Sequence, residues 1–398
     1  MPETLVYAYP WDFEGDKGAV GRAAALGVGA VAVAANYHTT RAARPLHPAQ
    51  PLVDVRHAAC YVPVRPAAWK GRRLVPRTPD WVESDDSFSF ARDLLQAAGL
   101  ATHAWVVLTH NSALGREHSD LVVCNAFGNR YEYALCPSAP DVVEYCTTLV
   151  DEIVARGPGD GLVLEACGPM GFEHNGVHEK TSLACWSSGQ RDLLSLCFCS
   201  ACSARLRSAG LDVDQLRNLV RRAVLIGSGS LEESLPPELA DGVAEVRTTV
   251  SVELRSLLTA RIKSANPALR VTVHGASDRW ATGSFSTVAP PLRAGVDVVV
   301  ASCFDGARGA DVIAEMHALV NGGGRPAGQP DLPSSIPVVG GIVRPTEDWA
   351  DDMVLRDRLA RMKAAGMEEL HLYHLGLVGE TGLRALERMV STFLDRRP

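Results

Sequence analysis

The sequence predicts a closed (β/α)₈ barrel of the TIM barrel type, and three observations carry the prediction. Eight short apolar runs recur along the 398 residues, each followed by a helical pattern. Most of these runs lack the in-out alternation of a half-exposed sheet, which is the pattern of parallel strands covered on both faces. No composition break and no shorter repeat marks a second domain, so residues 1–398 read as one barrel domain.

The runs are Leu5–Tyr9, Ala30–Ala35, Ala104–Thr109, Gly161–Ala166, Leu269–His274, Val296–Cys303, Ile336–Ile342 and Leu370–Leu375. Eight of them favour closure over an open sheet. The intervening helices announce their ends: Asp16–Leu26 stops at Gly27, Ser89–Ala98 at Gly99 and Asp348–Ala365 at Gly366, because glycine takes the left-handed turn that closes a helix. Asp141–Ala155 sets Val142, Cys146, Leu149, Ile153 and Val154 along one stripe, as an outer helix packed on the barrel would. Two connections, 40–88 after the second strand and 167–267 after the fourth, are too long for simple crossovers. Loops after strands carry function in this architecture, so both are expected to wall the active face. Asn321–Ser335 contains three consecutive glycines and reads as a mobile loop.

With 46% hydrophobic and 21% charged residues the chain can fill a large core. A net charge of −7 argues against nucleic acid as a partner. No apolar stretch is long enough to span a membrane, and the N-terminus has no basic leader with a small-residue cleavage site. A cytoplasmic location follows as the expectation, with homo-oligomer formation left open. In that reducing compartment the ten cysteines are expected to bind metal or be buried rather than form disulfides.

Cys197, Cys199 and Cys202 form C-x-C-x-x-C, three of the four ligands that a closed tetrahedral zinc site needs. Cys136, in Cys-Pro-Ser-Ala-Pro, is the preferred fourth thiolate and Cys185 its rival. Four thiolates leave no open position, so the zinc would be structural. Glu165 closes the fourth run after three apolar residues, where burial would raise its pKa toward that of a general acid. The order Cys136, Glu165, Cys197/Cys199/Cys202 resembles the zinc-bearing β-galactosidases of glycoside hydrolase family 42, through about the middle third of the chain, and more broadly the bacterial glycosyl-hydrolase-like barrels. The resemblance implies that Glu165 is the acid/base residue. It departs from the family twice: Leu164 stands where the family has Asn, and Val338–Arg344 lacks the nucleophilic glutamate of the seventh strand.

Asp305, after the sixth strand, is the substitute second carboxylate, with Asp12, Glu173 and Glu179 behind it. Histidines follow several strands: His38, His110 beside Asn111, His274 and His374, with His174 and His178 after Glu165. They suit sugar hydroxyls or proton transfer, or, as His38, His110 and His274 with Glu165, a catalytic metal. The bland reading makes each a packing residue. Arg344 could meet an anion or pair with Glu347 or Asp348. Trp11, Tyr37, Phe172, Trp280 and Phe304 are candidates for stacking on a sugar ring, whereas Trp105, inside a strand, reads as core. The basic segment Trp69–Arg77 reads either as an anion contact or as a solvated loop.

The expectation is therefore an enzyme cleaving a small glycoside, with Glu165 as proton donor and Asp305 as its partner. Two other classes stay open: a metal-dependent isomerase, lyase or hydrolase using the strand-end histidines, and a sugar-binding barrel without catalysis.

Overall fold

In the computed structural model, described here for residues 4–174, 180–227, 229–290, 292, 295–322, 336–346, 349 and 351–395, the eight runs pair as parallel neighbours around a full circle. The strands are β1 (Thr4–Ala8), β2 (Ala30–Tyr37), β3 (Ala101–Val107), β4 (Gly161–Glu165), β5 (Arg270–His274), β6 (Val298–Ser302), β7 (Val338–Val343) and β8 (Glu369–Leu372). Pairing of β1 with both β8 and β2 closes the ring. Every strand overlaps its expected run. The Gly-rich 323–335 stretch, His178, Glu179, Glu347 and Asp348 lie outside the described residues.

Strand burial explains why the apolar runs are continuous. β1, β2, β4, β5 and β8 are buried along their whole length, with helices outside and side chains filling the lumen. The helices Ala19–Ala25, Ser87–Ala97 and Asp352–Ala364 end just before Gly27, Gly99 and Gly366, all of which sit at positive φ as the chain reading required. Pro140–Ala155 buries Val142, Cys146, Leu149 and Ile153, and packs against the long helix Pro237–Ala265.

Beyond β2 the chain forms an antiparallel ribbon (Thr40–Ala43 with Leu52–Val55), and Ala59–Cys60 then pairs with the end of β2. A second ribbon, Val122–Cys124 with Arg130–Leu135, follows β3. After β4 come the helices Ser188–Leu194, Ser200–Ser208 and Val213–Ile226. These helices enclose their own apolar cluster of Leu193, Phe198, Leu206, Leu216, Val220 and Trp280, separate from the barrel core. Among the described residues no helix is long and apolar enough to cross a membrane.

Candidate active site

Strand direction and a period-two pattern decide what meets at the mouth of the barrel. Side chains two residues apart share a strand face, so Arg270, Thr272 and His274 of β5 form one row, as do Glu369, His371 and the following Tyr373 at β8. Both rows are polar inside otherwise apolar strands, and their contacts reach across the lumen: the Tyr7 hydroxyl lies 2.6 Å from His274 Nε2 and 3.2 Å from His371 Nδ1.

Glu165 stands at the C-terminal end of β4 and is buried. Trp105 Nε1 of β3 donates to its Oε2 at 2.8 Å, and His274 Nδ1 of β5 lies 3.6 Å from the same oxygen. Burial pushes the carboxyl up to about 7, against the lowering effect of hydrogen bonds from Ser284 and Trp105. A carboxyl of that affinity holds its proton near neutrality and can release it there, as a general acid must. Aromatic rings enclose it. The hydroxyls of Tyr9, Tyr37 and Tyr373 lie within 3.0 to 3.4 Å of one another. The Trp105 ring contacts Tyr7, Tyr9 and Tyr37, and Phe285 stacks on His274 at 4.6 Å. Trp105 is therefore buried, as its strand position suggested, and also bonded to Glu165.

Asp12 follows β1 on the turn Pro10–Asp12. Its Oδ2 accepts from Tyr9 N at 2.8 Å and lies 4.0 Å from His374 Nδ1, while Oδ1 is buried without a partner among the described residues. Burial lifts this carboxyl to about 7 as well, overriding the nearby charges of Arg44 and Arg22. Burial also holds His274 and His374 down at about 3, so both rings are neutral at ordinary pH. Gly376 N donates to His374 Nδ1 at 3.1 Å, which puts the ring proton on Nε2, where it has no partner among the described residues. Trp11 stacks on Tyr9 at 4.4 Å with its Nε1 likewise unpartnered. Buried polar atoms left in this state are where a ligand or ordered water would bond.

Tyr37 leads into a stack along the rim. His38 lies 4.2 Å from Tyr37 and 4.1 Å from His110, His110 Nε2 is 3.0 Å from His174 Nε2, and His174 stacks on Tyr133 at 3.9 Å. Desolvation lowers His38 to about 4 and, with His38 and His174 beside it, lowers His110 further. The set His38, His110, His274 and Glu165 does not gather as metal ligands. Among the described residues, the four cysteines are the one group of three or more His, Cys, Asp or Glu atoms close enough to share an ion.

Several expected site residues serve the local chain instead. Asp305 is exposed, and its carboxylate accepts from Ala307 N at 3.1 Å, closing its own turn; the ring of the preceding Phe304 is what packs against Tyr373, at 5.7 Å. Asn111 Oδ1 caps the helix Ser112–Glu117 by accepting from Leu114 N. Glu173 is exposed and pairs with Arg191 at 3.0 Å. Arg344 is exposed, 5.1 Å above the Phe304 ring. Phe172 and Trp280 belong to the second apolar cluster, where Arg247 and Arg279 lie over the Trp280 ring. In the basic segment, Arg72, Arg73 and Arg77 pair with Glu144, Asp120 and Glu117, so the loop is ion-paired on the surface.

Cys136, Cys197, Cys199 and Cys202 bring their sulfurs within 4.8 Å of one another, and Cys185 is exposed, outside this group. The distances from Cys136 Sγ are 3.4 Å to Cys202, 3.6 Å to Cys199 and 3.9 Å to Cys197. A tetrahedral ion with Zn–S bonds of about 2.3 Å would set its sulfurs roughly 3.8 Å apart, so the cage has the right size. Backbone N–H groups of Cys124, Cys199 and Cys202 point at the sulfurs, and the buried Arg247 adds positive charge nearby. These are the features that a thiolate set bearing net negative charge requires.

Sequence reasoning missed Tyr7, Tyr9, His371, Tyr373 and Ser284. The polar alternation in Glu369–Leu370–His371–Leu372–Tyr373 was the available signal for two of them.

A scan against known protein families and a search of curated proteins find no match. Solved structures share the fold. α-L-Fucosidase isoenzyme 2 from Paenibacillus thiaminolyticus superposes with a TM-score of 0.59 at 12% identity, over 98% of this chain and 49% of that one, so the chain spans about half its length. The PgaB (BpsB) glycoside hydrolase domain from Bordetella bronchiseptica gives 0.58 at 14% identity, covering 98% of both chains. The catalytic domain of β-amylase from Paenibacillus polymyxa gives 0.55 at 12%, covering 100% of this chain and 99% of that one. At these identities the likeness is one of fold.

Proposed function

We propose that this chain is a glycoside hydrolase acting on a small carbohydrate substrate in the cytoplasm, with Glu165 as proton donor. The observation that carries the reading is a carboxyl buried among aromatic rings at the C-terminal mouth, with a pKa near 7. That is where (β/α)₈ enzymes keep their reactive groups, and glycosidic cleavage needs an un-ionised carboxyl beside the leaving oxygen. The fold shared with a fucosidase, an amylase and a glycoside hydrolase domain supports the same class. Asp12 replaces Asp305 as the second carboxyl in this proposal, because it is buried beside His374 with a free oxygen, whereas Asp305 closes a surface turn.

The four-cysteine cage is proposed to hold one structural zinc. Bound there, zinc would tie the segment after β4 to the loop that follows the second ribbon, giving rigidity to one wall of the mouth without entering the reaction.

The test is hydrolysis of a panel of aryl glycosides by the wild type and Glu165→Gln. Turnover of at least one glycoside, abolished in the variant, is the expected result. Retained turnover in Glu165→Gln would overturn the acid assignment. The absence of a carboxylate at the end of β7 favours a second reading, a sugar-binding barrel. Saturable sugar binding with no cleavage across the panel would select it.

A further inference from the structure

The barrel interior holds a chain of buried polar side chains that leads from the N-terminal ends of the strands to Glu165. At the N-terminal ends of β5 and β8, Arg270 forms an ion pair with Glu369 Oε1. Glu369 Oε2 lies 3.4 Å from His371 Nε2, His371 Nδ1 lies 3.2 Å from the Tyr7 hydroxyl, and that hydroxyl lies 2.6 Å from His274 Nε2. His274 Nδ1 then faces Glu165 Oε2 at 3.6 Å, too far for a hydrogen bond, and has no other partner among the described residues. Every member is buried.

Donor and acceptor chemistry gives this chain a direction. A guanidinium only donates, so the Glu369 carboxylate is the acceptor end, and His371 must offer it Nε2–H. A His371 ring carrying that one proton presents a bare Nδ1, which takes the Tyr7 proton. The Tyr7 oxygen in turn accepts from His274 Nε2–H, leaving the lone pair of His274 Nδ1 turned toward Glu165. A lone pair there favours the un-ionised carboxyl and disfavours the carboxylate.

We propose that Arg270, Glu369, His371 and Tyr7 are positioning residues that fix the His274 tautomer, with Nδ1 bare, and thereby hold Glu165 as an acid. This rests on the reading of Glu165 as proton donor. The groups facing Glu165 are Trp105 from β3, Ser284 from the loop after β5, and His274; Tyr7, Tyr37 and Tyr373 act on it through space. Those facing His371 are Glu369, Tyr7 and, through space, His103 of β3. None of these replaces Glu369 as the acceptor end.

The experiment is long-range ¹H–¹⁵N NMR of the full chain, below the pH at which Glu165 titrates, with His274 and His371 assigned by substitution and the single proton of the His371 ring read in the same spectra. The expected wild-type ring carries its proton on Nε2. In Glu369→Gln, Arg270 holds the amide oxygen, so the amide NH₂ turns to His371 and reverses each link. His274 should then be protonated on Nδ1, and the Glu165 carboxyl, followed by ¹³C NMR, should titrate at lower pH. Tyr7→Phe cuts the chain and should lower the Nε2–H share even if Glu369→Gln does not fold. A wild-type ring protonated on Nδ1, or an unchanged tautomer in either folded variant, overturns the proposal. These readouts need no substrate, so a chain behaving as described in a protein that cleaves no glycoside would sink the hydrolase reading alone.

Discussion

The Glu165 carboxyl and the Trp105 indole, on adjacent strands, share a 2.8 Å hydrogen bond in which Nε1 donates to Oε2. A donor to a carboxylate stabilises its charged form, so this bond works against the burial that raises the Glu165 pKa. Trp105→Phe keeps most of the ring packing and removes the donor. The Glu165 pKa should then rise by about one to two units, given the ~1.5–3 kcal/mol of a hydrogen bond to a charged group. Activity that depends on the acid form should persist to higher pH, with the alkaline limb of the kcat/KM profile displaced upward. A limb that stays put would mean that another group controls it.

The same burial links Glu165 to stability. Its pKa rises from 4.5 in the unfolded chain to about 7 in the fold, so the native state binds the proton more tightly. Stability from this group is fully present below pH 4.5, falls as pH rises toward 7, and is constant above. Glu165→Gln cannot ionise and escapes that loss. Relative to the wild type it should gain ~3 kcal/mol between acid and mildly alkaline pH. Thermal melting at both extremes measures this, and a variant whose melting temperature tracks the wild type at both would contradict the burial argument.

Asp12 and Asp305 make opposite predictions. Asp305→Asn, at an exposed turn, should change stability by less than about 0.5 kcal/mol and leave turnover intact. Asp12→Asn should lower kcat by roughly 10² or more if Asp12 takes part as the second carboxyl. Gly376→Ala offers an independent probe, because a Cβ there would lie 2.2 Å from Asp12 Oδ2. The carboxyl is held by Tyr9 N, so it must break that bond to move. A loss of about 1–3 kcal/mol in stability, together with reduced turnover, is expected. Reduced turnover in Asp305→Asn with Asp12→Asn unaffected would restore the sequence-based choice.

The barrel was legible because parallel strands covered on both faces cannot hide their apolar character, and because glycine closes helices with a visible mark. The position of Glu165 was legible for the same reason: it is a carboxyl at the end of such a run, and it is buried there. The lumen was harder to read. Tyr7 and His371 sit inside apolar strands and look like core, and only the pairing of strands distant in sequence brings them together. The strand-end rule could not separate Asp305 from a turn residue, because a residue three positions beyond the strand can turn outward to bond its own loop. Asn111 was ambiguous for a related reason, since a residue preceding a helix is as well placed to cap it, as Asn111 does, as to meet a ligand.

The cysteine cage decides whether the wall beside the mouth is held by a metal. Four thiols confined within 4.8 Å cannot all lose their protons without a cation between them, and the purified chain should therefore carry about one zinc, measured by elemental analysis. Cys136→Ala removes the ligand contributed from the β3 side and should abolish zinc retention, whereas Cys185→Ser, exposed and outside the cage, should not. Because metal binding free energy is folding free energy for the segment it closes, Cys136→Ala should lower the melting temperature by roughly ten degrees or more. Cleavage by protease should become faster between β4 and the long helix Pro237–Ala265, whose apolar cluster is separate from the barrel core. A chain that lacks metal yet melts and resists protease as Cys136→Ala does would show that the four sulfurs are packed thiols.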